Sequence, residues 1–109
     1  MHRTLIVARM VPDAADKIAA AFANSDHHTD LAASIGVRAR SLFQFGDVYM
    51  HLIESDRPVE DAVMAYRDHP EFQRIGEELR PFVTPYDPET WRAPKDAMAH
   101  EFYRWERHG

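Results

Sequence analysis

Val37-Arg-Ala-Arg-Ser-Leu-Phe-Gln-Phe-Gly-Asp-Val-Tyr-Met-His-Leu-Ile-Glu54 is the stretch whose reading decides the fold. Before Gly46-Asp47 the residues alternate, with Val37, Ala39, Ser41, Phe43 and Phe45 on one face and Arg38, Arg40, Leu42 and Gln44 on the other. After it they alternate again, placing Val48, Met50 and Leu52 opposite Tyr49, His51 and Ile53. Two period-2 runs joined by a tight Gly-Asp break specify a β-hairpin. If Gly46 and Asp47 are the turn residues, Phe45 pairs with Val48, Phe43 with Met50 and Leu42 with His51. Arg40 and His51 then become diagonal neighbours on one face, roughly 7–8 Å apart at the backbone and within reach of a single bound group. A slip of one residue would separate them.

Working outward, Leu5, Ile6, Val7 and Ala8 form a continuous apolar run within Arg3 to Met10, as a central strand buried on both faces requires. Pro12 and Asp13 open a helix to Ala23, whose apolar face carries Ala15, Ile18, Ala19 and Phe22. Asp13 and Asp16 complement its dipole. The turn-forming residues from Asn24 to Ser34 predict a loop, long enough to suggest that it has a task. On the far side of the hairpin, Pro58 starts a helix over Val59 to Asp68. His69, before a proline, is either a kink or the N-cap of a further helix from Pro70 to about Leu79, along which Phe72, Ile75 and Leu79 recur on one face. Pro81, Pro85, Pro88 and Pro94 make an irregular crossing. Ala97 to Trp105 alternates and predicts the fourth strand.

That order predicts an α+β chain, a ferredoxin-like βαββαβ sandwich with an extra helix, in which helices cover one face of an antiparallel four-stranded sheet. The other face would stay bare in a monomer, and a second copy is its simplest cover, so a homodimer is expected. A length of 109 residues suits a single domain over 1–109. The net charge of -5 gives no attraction to nucleic acid, and the absence of Cys excludes disulfides and thiolate chemistry. No apolar run approaches the roughly 18 residues of a membrane span. The expected location is cytoplasmic.

With no cysteine, no Gly-rich phosphate loop and no His-Glu-x-x-His, the reactive inventory reduces to His, Asp, Glu, Arg, Tyr and Ser. His27, His28 and Asp30 read as solvated loop residues rather than metal ligands. Arg40 and His51 lie mid-strand beside Leu42 and Ile53 and need partners. Two readings stand side by side. In one they join Asp26, Glu54 or backbone carbonyls in a structural network. In the other they line a cavity, a cationic fork for a carbonyl or enolate oxygen beside an imidazole for proton transfer. Tyr49 and Gln44 would complete its polar lining. Tyr66, Phe72, Trp91 and Tyr103 could line a pocket for planar rings, or be ordinary core.

The segment Ile35-Gly-Val-Arg-x-Arg-x-Leu-Phe-x-Phe-x-Asp-x-Tyr-Met-His-Leu-Ile-Glu54 resembles the tetracenomycin-type aromatic polyketide cyclases. So do Leu5-Ile-Val-x-Arg-Met10, Ile18-Ala-Ala-Ala-Phe-Ala23 followed by Asp26, His69-Pro-x-Phe72, Val83-Thr-Pro-Tyr86 and Phe102-Tyr-x-Trp105. The resemblance implies a ferredoxin-like fold in a dimeric α/β barrel. It also implies no cofactor, and aldol-type ring closure of a poly-β-ketone with loss of water, the substrate being free or carried by an acyl carrier protein. By the same resemblance Asp26, Arg40 and His51 are the proton-transfer and substrate-orienting groups. His27, Leu42, Gln44, Tyr49, Ile53, Tyr66, Phe72 and Trp91 are expected around the substrate. The chain departs from the pattern at Ser25, where some members carry a histidine; either His27 takes that role or none is needed there. Two other functions fit the same barrel: a cofactorless monooxygenase acting on a polycyclic phenol, and a non-catalytic polyketide-binding or chaperone-like module.

Overall fold

In the computed structural model, which describes residues 1–108, the chain runs β1 (His2–Met10), α1 (Ala15–His28), α2 (Leu31–Ile35), β2 (Val37–Phe45), β3 (Val48–Ser55), α3 (Val59–Tyr66), α4 (Pro70–Leu79) and β4 (Val83–Pro85). These residues build one antiparallel sheet of order β2-β3-β1-β4 with helices against one face, the ferredoxin-like arrangement. The hairpin has the expected register, with Leu42 opposite His51, Phe43 opposite Met50 and Phe45 opposite Val48. Gly46 takes φ +61°, the left-handed value that a II′ hairpin turn demands of its first central residue.

One local irregularity changes the predicted faces. Val37 pairs with Ser55 and Ala39 with Glu54, so Arg38 is an extra residue in β2. That bulge turns Val37 to the helix side, away from Ala39 with which simple alternation grouped it.

Two expectations about α1 are corrected. The helix does not stop at Ala23, and Asn24 to Ser34 is not a loop: α1 continues to His28 and α2 follows at once. Local propensity argues against helix here, but Ser25 is buried at 2 % exposure and Asp26 is tied to Arg40 across the structure, so tertiary contacts hold the extra turn. His27 and His28 sit in the last turn of α1. α2 ends at Gly36, whose φ of +92° closes the helix in the left-handed region.

The fourth strand is also corrected. The outer neighbour of β1 is Val83–Pro85, paired with Ala8–Met10, and not Ala97–Trp105. Pro85 lacks an N–H and is tolerated because β4 is an edge. The chain then leaves the sheet as a strap through a 3₁₀ turn at Pro94–Ala97 and rejoins β1 at one bridge, Met98 to Ile6, with Ala99 N–H donating to the Leu5 carbonyl at 2.7 Å. Beyond that point alternation alone cannot sustain a ladder, because nothing packs on the side chains: Phe102, Tyr103 and Trp105 are exposed. Of the two readings of His69 the structure has the cap: its Nδ1 accepts the Glu71 N–H at 3.1 Å at the start of α4.

The core lies between sheet and helices, where Ile18 and Phe22 of α1 pack on Ala8, Met10 and Tyr49. A second cluster joins Leu31, Ile35 and Ala62. Each fully buried aliphatic side chain contributes about 1.5–3 kcal/mol. β1 is central as expected. Its far face is not buried in the single chain, for Leu5 and Val7 there are only half-buried.

Candidate active site

The helix-side face of the sheet presents Tyr49, His51 and Ile53 from β3, and Arg40 from β2 beside them. Because two-residue steps put them in one row, and because α1 and α4 stand off that row, a cavity of about 370 Å³ opens between the layers. Its walls are mostly apolar: Ile6 and Ala8 below, Phe22 and Ile75 from the helices, Trp91 and Met98 from the strap. Its polar side chains are Ser25, Arg40, Tyr49, His51 and Thr84, beside the indole of Trp91.

Three of these side chains, Arg40, His51 and Tyr49, form one hydrogen-bonded chain with Asp26, which stands behind the cavity wall. Asp26, brought in by the added turn of α1, accepts from Arg40 Nε at 2.9 Å and from Arg40 Nη2 at 2.8 Å. This is a bidentate pair of the kind that fixes a guanidinium in orientation. Arg40 Nη1 lies 3.1 Å from His51 Nε2, and His51 Nδ1 lies 3.1 Å from Tyr49 Oη. Phe22 packs edge-on to the His51 ring at 4.9 Å between centroids, and the Arg40 guanidinium carbon stands 4.7 Å over the same phenyl ring. Arg40 has five N–H groups, and these contacts leave two of them for another oxygen.

Burial dominates the electrostatics. It lowers the His51 pKa to about 3, helped by the Arg40 cation and opposed by the Asp26 carboxylate, so the imidazole is neutral at physiological pH. Burial also raises the Tyr49 hydroxyl well above the usual phenol range, against the pull of Arg40, so the phenol keeps its proton.

Arg40, His51, Tyr49, Ile53, Phe72 and Trp91 therefore line one cavity, with Asp26 behind Arg40. The other expected substrate contacts lie elsewhere. Gln44 is exposed and donates to the Pro12 and Gly46 carbonyls, because its place near the hairpin turn puts it past the helix layer. His27 points to solvent from the outer side of α1. Leu42 packs into the core around Phe22 and Tyr49. Tyr66 packs on Leu31 and Ile35 and donates to the Ser34 carbonyl at 3.2 Å. Tyr103 is 76 % exposed, since the strand meant to carry it does not form. Phe22 and Ser25 were missed as cavity residues; their spacing on the core face of the helix was the available signal. Among the described residues no group of three or more His, Cys, Asp or Glu is placed to hold a metal ion.

The chain is similar to known proteins over nearly its whole length. The family model described as polyketide synthesis cyclase matches residues 2–106. An uncharacterized protein of Streptomyces coelicolor is 57 % identical over 108 residues, covering 98 % of this chain and 96 % of that one. Polyketide synthase CurG of Streptomyces cyaneus is 50 % identical over 107 residues, covering 98 % of this chain and 99 % of that one. Tetracenomycin F2 cyclase of Streptomyces glaucescens is 45 % identical over 104 residues, covering 95 % and 94 %. The solved structure of that enzyme, described as a type-II polyketide cyclase, superposes with a TM-score of 0.91 at 44 % identity, covering 99 % of this chain and 100 % of the other. The family model over residues 2–106 and these relatives show that the chain belongs to the polyketide synthesis cyclase family.

Proposed function

We propose that the protein closes a ring in an aromatic polyketide by regioselective intramolecular aldol condensation and dehydration of a poly-β-ketone or partly cyclised intermediate. The observation that carries this reading is the cavity itself, apolar on most sides with one short polar row in which Asp26 holds Arg40 and Arg40 meets His51. A poly-β-ketone is reactive without help, because a methylene between two carbonyls enolises readily. The demand on the protein is selectivity, and a walled cavity that holds one folded conformer supplies it through near-attack orientation. The remaining Arg40 N–H groups serve a carbonyl or enolate oxygen, where charge develops as the bond forms. Loss of water from the aldol then drives aromatisation.

The working unit in this reading is a twofold dimer. The sheet face opposite the helices carries Leu5, Val7, Met50 and Leu52, with Phe43 at its side 53 % exposed, a continuous apolar surface that a second copy would cover. The substrate comes from a type II polyketide synthase, free or on an acyl carrier protein, in an antibiotic or spore-pigment pathway of the cytoplasm. No helix among the described residues is long and apolar enough to cross a membrane.

The test is reconstitution with a minimal type II synthase under nitrogen, followed by mass and regiochemical analysis with and without the protein. One ring-closed product enriched over the spontaneous mixture is expected. An unchanged mixture under nitrogen overturns the proposal, and oxygen uptake with a quinone product would indicate the monooxygenase chemistry instead.

A further inference from the structure

The hydrogen-bonded row in the cavity has a direction that follows from donor chemistry alone. A guanidinium has only donors, so in the 3.1 Å contact between Arg40 Nη1 and His51 Nε2 the imidazole nitrogen must accept. A neutral imidazole that accepts at Nε2 carries its hydrogen at Nδ1. That hydrogen is therefore donated to Tyr49 Oη, 3.1 Å away. Tyr49 Oη uses a lone pair in this contact, and no other hydrogen bond of Tyr49 Oη is made among the described residues. Its own hydrogen stays unclaimed by the protein, on a side chain that is 5 % exposed and lines the cavity.

We propose that Tyr49 Oη is the hydrogen-bond donor that holds and polarises the substrate carbonyl under attack, with His51 as the positioning residue that aims it. This rests on the cyclase reading of the cavity and assigns the acceptor it takes, a neutral carbonyl or developing alkoxide oxygen. Arg40 and Tyr49 flank the imidazole from opposite nitrogens, so they address two different oxygens of the same folded chain. The phenol keeps its proton because burial opposes the phenolate, and the ring of His51 stays uncharged for the same reason. In the addition, the enol carbon forms the new C–C bond and the π pair of the attacked carbonyl moves onto its oxygen. The enol O–H proton is released as its own C=O reforms, and one proton reaches the alkoxide. The step is a net isomerisation, and Tyr49 stabilises the charge that passes through that oxygen without being consumed.

The probe is 1-tetralone, an aryl ketone with one acceptor oxygen and no donor, observed by difference infrared spectroscopy on the folded protein. Bound to wild type, its C=O stretch is expected at lower frequency than in an apolar solvent; in Tyr49→Phe that lowering disappears. An unshifted stretch in wild type, or the same lowering in both proteins, overturns the proposal. Nitrogen-15 spectra of wild type should show His51 protonated at Nδ1 and bare at Nε2. The reverse tautomer overturns the assignment, and this measurement needs no variant to fold. In the synthase reconstitution, Tyr49→Phe should lose about 10²–10³-fold in kcat with KM little changed, the size of effect seen when one preorganised donor is removed. Wild-type kcat in the folded variant refutes the role. A wild type that lowers the tetralone frequency yet closes no ring refutes the cyclase chemistry alone, whereas ring closure without the lowering refutes the Tyr49 assignment alone.

Discussion

Lowering the pH should destabilise this protein through a single buried ring. His51 is 4 % exposed, with Arg40 of β2, Asp26 of α1 and Tyr49 of β3 around it, and its pKa in the native state is about 3 against an ordinary 6.5. Between those two values the unfolded chain binds a proton that the native chain refuses, so stability falls as the pH drops through 6.5 and continues falling toward 3. Each pH unit inside that window costs about 1.4 kcal/mol, so going from neutral pH to about pH 5 removes roughly 2 kcal/mol. Urea unfolding of wild type and His51→Gln at about pH 7.5 and about pH 5 isolates the contribution, because every other titrating group is common to both proteins. Glutamine can still accept from Arg40 and donate to Tyr49 but carries no proton to gain. Wild type should lose about 2 kcal/mol more than the variant over this interval. Parallel losses would show that the native imidazole titrates normally, and the buried, neutral, Nδ1-protonated ring would have to be given up.

Three further outcomes test other parts of the molecule. Arg40→Ala and His51→Ala should each slow closure or redistribute products by about tenfold to a thousandfold, measured by product analysis in the reconstituted system; unchanged rate and regiochemistry in both would remove the pair from the mechanism. Phe43→Asp puts a charge on the bare sheet face and should yield monomers in sedimentation analysis, while an unaltered oligomeric state would locate any subunit contact elsewhere. Ile18→Ala, at 2 % exposure in the core, should lower stability by about 2–5 kcal/mol in urea titration, and a loss below about 1 kcal/mol would mean that the helix layer collapses around the gap.

Local patterning was enough wherever one physical rule acted alone. The hairpin register follows from period-2 alternation and a two-residue turn, and that register alone makes Arg40 and His51 diagonal neighbours. Pro70 after His69 was enough to mark the start of α4. The inward side chains of β3 were legible for the same reason, as Tyr49, His51 and Ile53 occupy every second position. The readings that failed lie where distant contacts outweigh local preference. Asn24 to His28 has the composition of a loop, yet it is helical because Ser25 is buried and Asp26 meets a guanidinium two elements away. Ala97 to Trp105 has the alternation of a strand, yet Val83–Pro85 occupies part of that edge and no layer covers the aromatic side chains beyond it.

The sequence by itself therefore determined the hairpin, the antiparallel α+β architecture and the identity of the inward polar pair, since alternation, capping and turn chemistry are short-range and additive. Only the tertiary structure decided which side chains share the cavity, where β1 finds its outer neighbour, and which nitrogen of His51 carries the hydrogen. Those outcomes depend on through-space contacts such as Asp26 to Arg40 and Arg40 to His51, and no spacing along the chain encodes the direction of a hydrogen bond.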